Sequence, residues 1–273
     1  MKIRIAKQMP CELFLLGLLL LLAAAGSWLA PFDPDVQDLG QALQAPDAVH
    51  LLGTDRYGRD VLARVLAGAQ TTIGTSLVIV GSIMLFGTAL GALAGMLGGW
   101  TDTLLMRTAD VFLAFPQMVF AVAAAGALGG GLGNAALALI VIGWPKYARI
   151  AASLAAALRE RPFMQAARIS GTKAWGRLIH HVLPNIAGPV LVTAALDIGT
   201  IIMELAGLSF LGLGAMPPTA EWGAMMSSGR SMLQTAPWVI LAPGGAIFAT
   251  VAVFNLLGDK LRDVLDTRKG QER

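Results

Sequence analysis

Two carboxylates, Asp197 and Glu204, stand in the apolar run from Asn185 to Leu211. Because they are seven residues apart, they share one face of a helix and lie about 10 Å apart along its axis. Ionisable groups in a membrane segment are candidates for function by default, because an unpaired charge is costly there. The two acids could line a path that suits a cationic or amine-bearing cargo. Alternatively, each could pair with Arg, Lys or a hydroxyl group of a neighbouring subunit.

Sulfur and imidazole groups are the other candidates for chemistry. Thioethers bind soft metals, although methionines in apolar surroundings usually pack. The methionines in question are Met216, Met225, Met226 and Met232. His180 and His181 are adjacent, so on a helix they project about 100° apart and cannot easily chelate one ion together. We therefore predict no metal site.

The motifs of common enzyme sites are missing from the sequence. There is no H-E-x-x-H pair for zinc and no G-x-x-x-x-G-K-[ST] loop to hold phosphates. An intramembrane enzyme would need a Ser/His or two-Asp pair at membrane depth; neither pair is apparent, and no histidine falls inside any of the apolar runs. An ion-coupled carrier would show an internal repeat with broken helices in both halves, and none is visible. We predict no catalytic residue and no ATP site on this chain.

The composition requires a bilayer as the solvent. Of the 273 residues 56% are hydrophobic and only 14% are charged, whereas soluble domains contain about 25% charged residues. A membrane helix needs about 20 apolar residues, and six runs qualify. We therefore predict an all-α, polytopic membrane protein with six transmembrane helices. The runs are Leu13 to Ala30, Thr72 to Gly98, Phe115 to Leu132, Ala135 to Leu154, Asn185 to Leu211 and Trp238 to Leu257.

The basic residues predict the orientation, because Lys and Arg accumulate in cytoplasmic segments. With the N-terminus inside, the outside segments contain no lysine and four arginines, which are Arg56, Arg59, Arg64 and Arg230. The other basic residues, among them Lys146 and Arg149, fall to the cytoplasmic side. We therefore predict that both termini are cytoplasmic. The net charge of +3 is then a topology signal, and no nucleic-acid partner is expected.

The first apolar run has the layout of a signal peptide or of an anchor. We interpret it as a retained helix, because Trp28 and Pro31 stand where a peptidase needs small residues. We divide the chain into an anchor helix with an outside segment (1–71), a permeation core (72–260) and a cytoplasmic tail (261–273). In the second run, glycines at four-residue spacing predict a groove for close approach of another helix. These glycines are Gly87, Gly91 and Gly95.

The basic loop before the fifth run reads as two short amphipathic helices. Pro162 suits a first turn, Gly171 can end that helix, and Thr172 can cap a second helix that runs to Val182. The spacing predicts two packing faces. The first comprises Phe163, Ala166, Ala167 and Ser170, and the second comprises Trp175, Leu178, Ile179 and Val182. The basic residues opposite could dock onto a partner or lie near lipid headgroups.

The spacing within this loop resembles a motif of ABC importer permeases, E-A-A, three residues, Gly, nine residues, I-x-L-P. The matching residues are Ala166, Ala167, Gly171, Leu183 and Pro184, whereas Gln165 replaces Glu and His181 replaces Ile. In that family the loop docks onto the ATPase subunit. The resemblance therefore implies the type I permease fold and an ATPase-docking set. That set comprises Gln165, Ala166, Ala167, Gly171, Trp175, Leu183 and Pro184.

Two outside motifs narrow the resemblance to one branch. The run L-G-T-D-x-x-G-R-D from Leu52 to Asp60 and the run P-P-T-x-E-W-G from Pro217 to Gly223 resemble the C-type subunit of dipeptide, oligopeptide and nickel importers. Candidate contacts for an external binding protein are Asp55, Arg59, Asp60, Glu221 and Trp222. Asp60 can also cap the following helix, and we expect Glu221 to be exposed. The alternative is that ion pairs here only order the loop.

The resemblance implies a bacterial inner-membrane subunit with four kinds of partner. These are a second, homologous permease, two ATPases that bind the ATP, an external binding protein and membrane lipid; no cofactor is implied for this chain. The run from Leu196 to Gly199 and the brevity of the chain resemble nickel members, and the two acids would tolerate a divalent cation. We therefore expect nickel, free or chelated, as cargo, with short peptides as the alternative.

Overall fold

The computed structural model describes residues 10–265, apart from the side chain of Cys11. The basic residues Lys2, Arg4 and Lys7 and most of the predicted tail, 266–273, lie outside the described residues. The cytoplasmic location of both termini therefore stays a prediction.

The described chain is helical, with one isolated antiparallel bridge between Thr54 and Asp60 and no strand between residues 10 and 265. Short 3-10 turns occupy Leu39–Gln41 and Arg230–Met232, and a π-helical turn occupies Leu178–Val182. The α-helices are α1 (Pro10–Leu29), α2 (Val61–Leu97), α3 (Gly99–Leu113), α4 (Gln117–Ala127), α5 (Leu132–Arg159), α6 (Pro162–Ile169), α7 (Ala174–Arg177), α8 (Leu183–Phe210), α9 (Trp222–Gly229) and α10 (Trp238–Leu265).

Five helical segments are long and apolar enough to cross a membrane, and a bent pair brings the number to six. The predicted third run, Phe115 to Leu132, contains only the 11-residue α4, which is too short to cross a membrane alone. It forms the sixth candidate span only together with α3, which meets it at an angle of 86°. Pro116 stands directly before α4, and a proline lacks the N–H group and clashes with the preceding turn, so it breaks the helix there. The count of six is confirmed, but the bounds of this span are wrong.

Helix α2 begins at Val61, well before the predicted Thr72. The carboxylate of Asp60 accepts the backbone N–H of Ala63 at 2.6 Å, so the predicted capping role of Asp60 is confirmed. Helix α10 likewise continues to Leu265. The predicted domain boundaries at 72 and 260 therefore both fall inside helices.

The three glycines of the second run form the predicted groove, and helix α5 occupies it. Gly87 faces the backbone of Trp144 and the Cβ of Tyr147, Gly91 faces the backbone of Ala148, and Gly95 faces that of Ala152. A Cβ atom on any of the three would overlap the neighbouring helix. Helices α2 and α5 are therefore in backbone contact along about two turns.

The main core surrounds this contact and extends to the loop after α5. Its buried side chains come from α2, α4, α5 and α8. The core also contains Met164 from α6 and Leu178 and Val182 from the π-helical turn. The loop is therefore anchored in the same core as the spans.

Replacing Gly91 by Ala should destabilise the protein, because the methyl group would overlap the carbonyl of Ala148. Overpacking of this kind costs about 1–3 kcal/mol. We expect a lower thermal unfolding temperature in detergent and a lower yield of extracted protein.

The matched control is Gly81→Ala in the same helix, where no atom lies within 4 Å of the position that the new methyl group would take. We expect Gly81→Ala to unfold at the wild-type temperature. Equal unfolding temperatures for the two variants would contradict the backbone contact.

Candidate functional site

The loop between α5 and α8 forms two short helices, as predicted, but the predicted cap of the second helix is wrong. Pro162 opens α6, and Gly171 turns the chain after it with a φ of +78°, as expected. Thr172 does not cap the second helix. The residue before that helix is Lys173, whose side chain makes no capping hydrogen bond.

The predicted end of the second helix at Val182 is also wrong. Helix α7 continues through the π-helical turn into α8, so Leu183 and Pro184 form the first turn of a span rather than part of a free loop. No segment of coil therefore separates the loop from α8.

The predicted packing faces are partly wrong, because only Leu178 and Val182 of the eight predicted residues are buried. Met164, Leu178 and Val182 are buried, whereas Trp175 is 65% exposed and Ile169 is 88% exposed. Phe163 and Ile179 are also exposed. Each short helix therefore holds the core with one side and presents apolar side chains to a partner or to lipid with the other.

Gln165 lies at a cleft of about 500 Å³ that opens between the loop and the end of α2. Its amide donates a long hydrogen bond of 3.4 Å to the carbonyl of Glu160. Arg168 and Arg177 line the same cleft. The residue that replaces the Glu of the motif therefore stands exposed between basic groups.

The two acids of α8 have partners within the chain, which the sequence did not reveal. Lys146 Nζ lies 2.5 Å from Asp197 Oδ1, and the Gln117 amide donates to Glu204 Oε2 at 3.0 Å. Asp197 is buried, Glu204 is partly buried and the Lys146 side chain is half-exposed. A small cavity of about 30 Å³ lies among Gln117, Lys146 and Asp197. This polar cluster joins α4, α5 and α8.

Lys146 was assigned to a cytoplasmic segment, and that assignment is wrong because Lys146 lies in the middle of α5. Arg149 lies one turn further along and pairs with Asp110 of α3. The sequence feature that could have identified Lys146 as a candidate is its position inside an apolar run, which is the feature that identified Asp197. That the polar cluster lines the path, or alternatively faces a partner subunit, stays a prediction.

The five candidate contacts of the outside segment are all buried. Asp55 binds Arg59 at 2.6 Å, and Asp60 accepts from the ring of His50 at 2.8 Å while it caps α2. The pKa of Asp47 is lowered mainly because its carboxylate accepts the backbone N–H of His50. These contacts favour the loop-ordering alternative.

The expected exposure of Glu221 is wrong, because its side chain is fully buried. Its carboxylate caps α9 by accepting the N–H groups of Gly223 and Ala224, and it contacts the hydroxyl of Thr72. The indole of Trp222 donates to the carbonyl of Val65 at 2.9 Å. The motif around them therefore joins α9 to α2, and direct contact of the five side chains with a binding protein stays a prediction.

Two family models match this chain. One, described as the binding-protein-dependent transport system inner membrane component, matches residues 87–271. The other, the N-terminal transmembrane domain of oligopeptide transport permease C, matches residues 13–46. The chain therefore belongs to the family of ABC importer permeases, and it is a multi-pass protein of the bacterial inner membrane. Within that family it is a C-type permease of the peptide and nickel branch.

Three relatives illustrate the branch. The probable D,D-dipeptide transport system permease protein DdpC of Escherichia coli (strain K12) is 43% identical over 93% of this chain and 85% of its own length. The nickel transport system permease protein NikC of the same strain is 40% identical over 93% and 92%. The glutathione transport system permease protein GsiD of Pectobacterium atrosepticum is 39% identical over 93% and 85%. The family implies ATPase and substrate-binding partners.

Lys146→Ala should destabilise the protein more than the double variant Lys146→Ala/Asp197→Ala. The single change leaves a buried carboxylate without its counter-charge, whereas the double change removes both charges. We expect a coupling energy of about 1 kcal/mol, low in the range for contacting pairs because Lys146 is half-exposed. Unfolding in detergent, measured for the four members of the cycle, checks this.

The control cycle uses Arg149 and Asp110, whose side chains are both half-exposed. We expect their coupling to be smaller than that of Lys146 and Asp197. Additive effects of Lys146→Ala and Asp197→Ala would contradict a stabilising pair.

Proposed function

We propose that this subunit forms half of the translocation path of an importer for short peptides and that it couples to the ATPase through residues 165–184. A second, homologous permease supplies the other half, two ATPase subunits hydrolyse ATP, and an external binding protein delivers the cargo. Opening and closing of the path then follow from rigid movements of the two helix bundles.

The observation that supports the coupling role is that one side of the loop is buried in the main core and the other side is exposed. Trp175 and Ile169 are exposed, while Met164, Leu178 and Val182 of the same loop are buried in the main core. An exposed tryptophan on a rigid element is a typical anchor for a partner protein. Because α7 continues into α8, a displacement of Trp175 by the ATPase would be transmitted to the helix that contains Asp197.

The expected nickel cargo is supported less well than the peptide alternative. Relatives named for dipeptide, glutathione and nickel transport are about equally similar to this chain, so they do not single out nickel. The argument for nickel from the sequence was the acidic pair of α8. Lys146 neutralises Asp197, which removes one of the two charges that would attract a divalent cation. Nickel remains a second candidate because of the 40% identity to a nickel permease.

Trp175→Ala should uncouple ATP hydrolysis from the binding protein without unfolding the subunit. The side chain is 65% exposed, so its removal costs little packing, whereas an anchor at the centre of an interface is worth about 2 kcal/mol or more. We expect binding-protein-stimulated ATPase activity of the purified importer to fall at least tenfold.

The matched control is Trp28→Ala, which removes a tryptophan that is 93% exposed at the end of α1. We expect this variant to keep normal coupling.

Variants at and near the turn after α6 test the same coupling role. Gly171→Pro requires a negative φ where the structure has +78°, whereas Gly171→Asn tolerates it. Gly171→Pro and Ala167→Arg should abolish transport and Gly171→Asn should retain it, all with normal membrane insertion. Normal coupling in Trp175→Ala and Gly171→Pro would contradict docking.

Cells that lack this chain should lose uptake of a labelled dipeptide and keep uptake of labelled nickel, since we propose peptide cargo. Re-expression of the chain should restore dipeptide uptake. Loss of nickel uptake with unchanged dipeptide uptake would instead establish the second candidate.

A further inference from the structure

A cavity of about 460 Å³ opens at the end of the bundle where α2 begins and α8 ends. Three separated parts of the chain line it, around 56–64, 209–219 and 224–231. Four arginines contribute to the lining, namely Arg56, Arg59, Arg64 and Arg230, and no acidic residue between positions 10 and 265 does. The coupling loop is at the opposite end of α8, which is about 42 Å long.

These are the same four arginines that the charge distribution assigns to the outside. Basic residues are normally sparse on that side of a bacterial membrane protein. Here the few that remain converge on one cavity, although they are up to 174 positions apart in the sequence. General topology does not account for such convergence.

Two of the arginines in this arginine cavity are buried and paired with acidic residues. Arg59 is buried and pairs with Asp55 at 2.6 Å. Arg64 is buried, pairs with Asp35 at 3.0 Å and donates to the carbonyl of Pro218 at 3.2 Å. Their geometry is fixed, and their charge is largely balanced by these partners.

The other two arginines are exposed and have no acidic partner in the described part of the chain. The Cζ atom of Arg56 lies 4.7 Å from the centre of the Tyr57 ring, and Arg59 lies equally close to that ring. Arg230 makes no ion pair within residues 10–265. The arginine cavity therefore keeps an excess of positive charge from Arg56 and Arg230.

The size and the donors indicate a small anionic group as ligand. Sites for small molecules have volumes of about 300–1,000 Å³, and the arginine cavity lies in that range. A guanidinium group presents paired N–H donors that match a carboxylate. Ser231 lies in the same lining and adds a hydroxyl donor, whereas the hydroxyl of Ser228 already donates to the carbonyl of Met225. A free divalent cation would be repelled.

We propose that the arginine cavity binds the carboxylate of the cargo, through Arg56 and Arg230, as the cargo passes from the binding protein to the path. This inference rests on the proposed import of short peptides and specifies which end of the peptide this subunit recognises. A carboxylate side chain of the binding protein has the same chemistry, so the test must separate the two sources.

The first test measures protection of the arginines in the purified complex of both permeases and both ATPases. Phenylglyoxal modifies exposed guanidinium groups, and mass spectrometry quantifies the modification at each arginine. We expect a dipeptide with a free carboxylate to slow modification of Arg56 and Arg230 at least threefold, and its C-terminal amide to have no effect. Arg107, which is exposed on α3 outside the cavity, is the internal control. Its rate of modification should be the same with the dipeptide, with the amide and with neither. Equal protection by the amide, or none by the dipeptide, would overturn the proposal.

The second test distinguishes the two sources of the carboxylate. In the complete importer in liposomes, the double variant Arg56→Gln/Arg230→Gln should raise the KM for the dipeptide about tenfold or more, the loss expected for a charge-assisted hydrogen bond. Arg107→Gln should leave it unchanged. Binding of the cargo-free binding protein should not change in the double variant. If that binding weakens tenfold instead, the carboxylate belongs to the binding protein and the proposal is wrong.

Failure of this inference differs from failure of the proposed function. If the wild-type importer transports no dipeptide, the peptide function is wrong, and protection of Arg56 and Arg230 still decides the ligand class of the cavity. If the double variant transports dipeptide with the wild-type KM and no protection occurs, the cavity proposal is wrong and peptide import stands.

Discussion

At Gly87, Gly91 and Gly95, helix α2 has no side chains, and the backbone of α5 occupies the space that they would fill. In a bilayer the hydrophobic effect does not draw helices together, so close van der Waals packing between small residues must do so. The other helices of the main core pack around this pair. The same contact holds Tyr147 against Gly87, and the adjacent Lys146 reaches Asp197 of α8. The position of the polar cluster therefore depends on the absence of a Cβ atom at these three glycines.

The loop between α5 and α8 is connected to that core by side chains and by the backbone. Met164, Leu178 and Val182 are buried in it, and α7 runs without a break into α8. A continuous connection of this kind is consistent with the proposed coupling, in which partner ATPases supply the energy for transport. The exposed apolar side chains, Trp175 and Ile169, stand on the opposite side of the same short helices.

The charges of the molecule fall into two groups with different environments. Within the spans, Lys146 neutralises Asp197, whereas Glu204 accepts only from the neutral amide of Gln117. At the end that the charge distribution assigns to the outside, four arginines line one cavity, and within residues 10–265 only Arg59 and Arg64 have acidic partners. Under the proposal, an anionic group of the cargo is attracted at the entrance and meets a less positive environment further in.

The six spans, the family, the Asp60 cap, the turn at Gly171 and the glycine groove follow from the sequence, because each depends on local composition, spacing or backbone conformation. The partners of Asp197 and Glu204, the burial of Glu221 and the convergence of the arginines do not. Each of these joins residues that are distant in the chain, such as Thr72 with Glu221 or Arg56 with Arg230. Periodicity shows which residues share a helix face, but only the packing of the helices decides what that face meets.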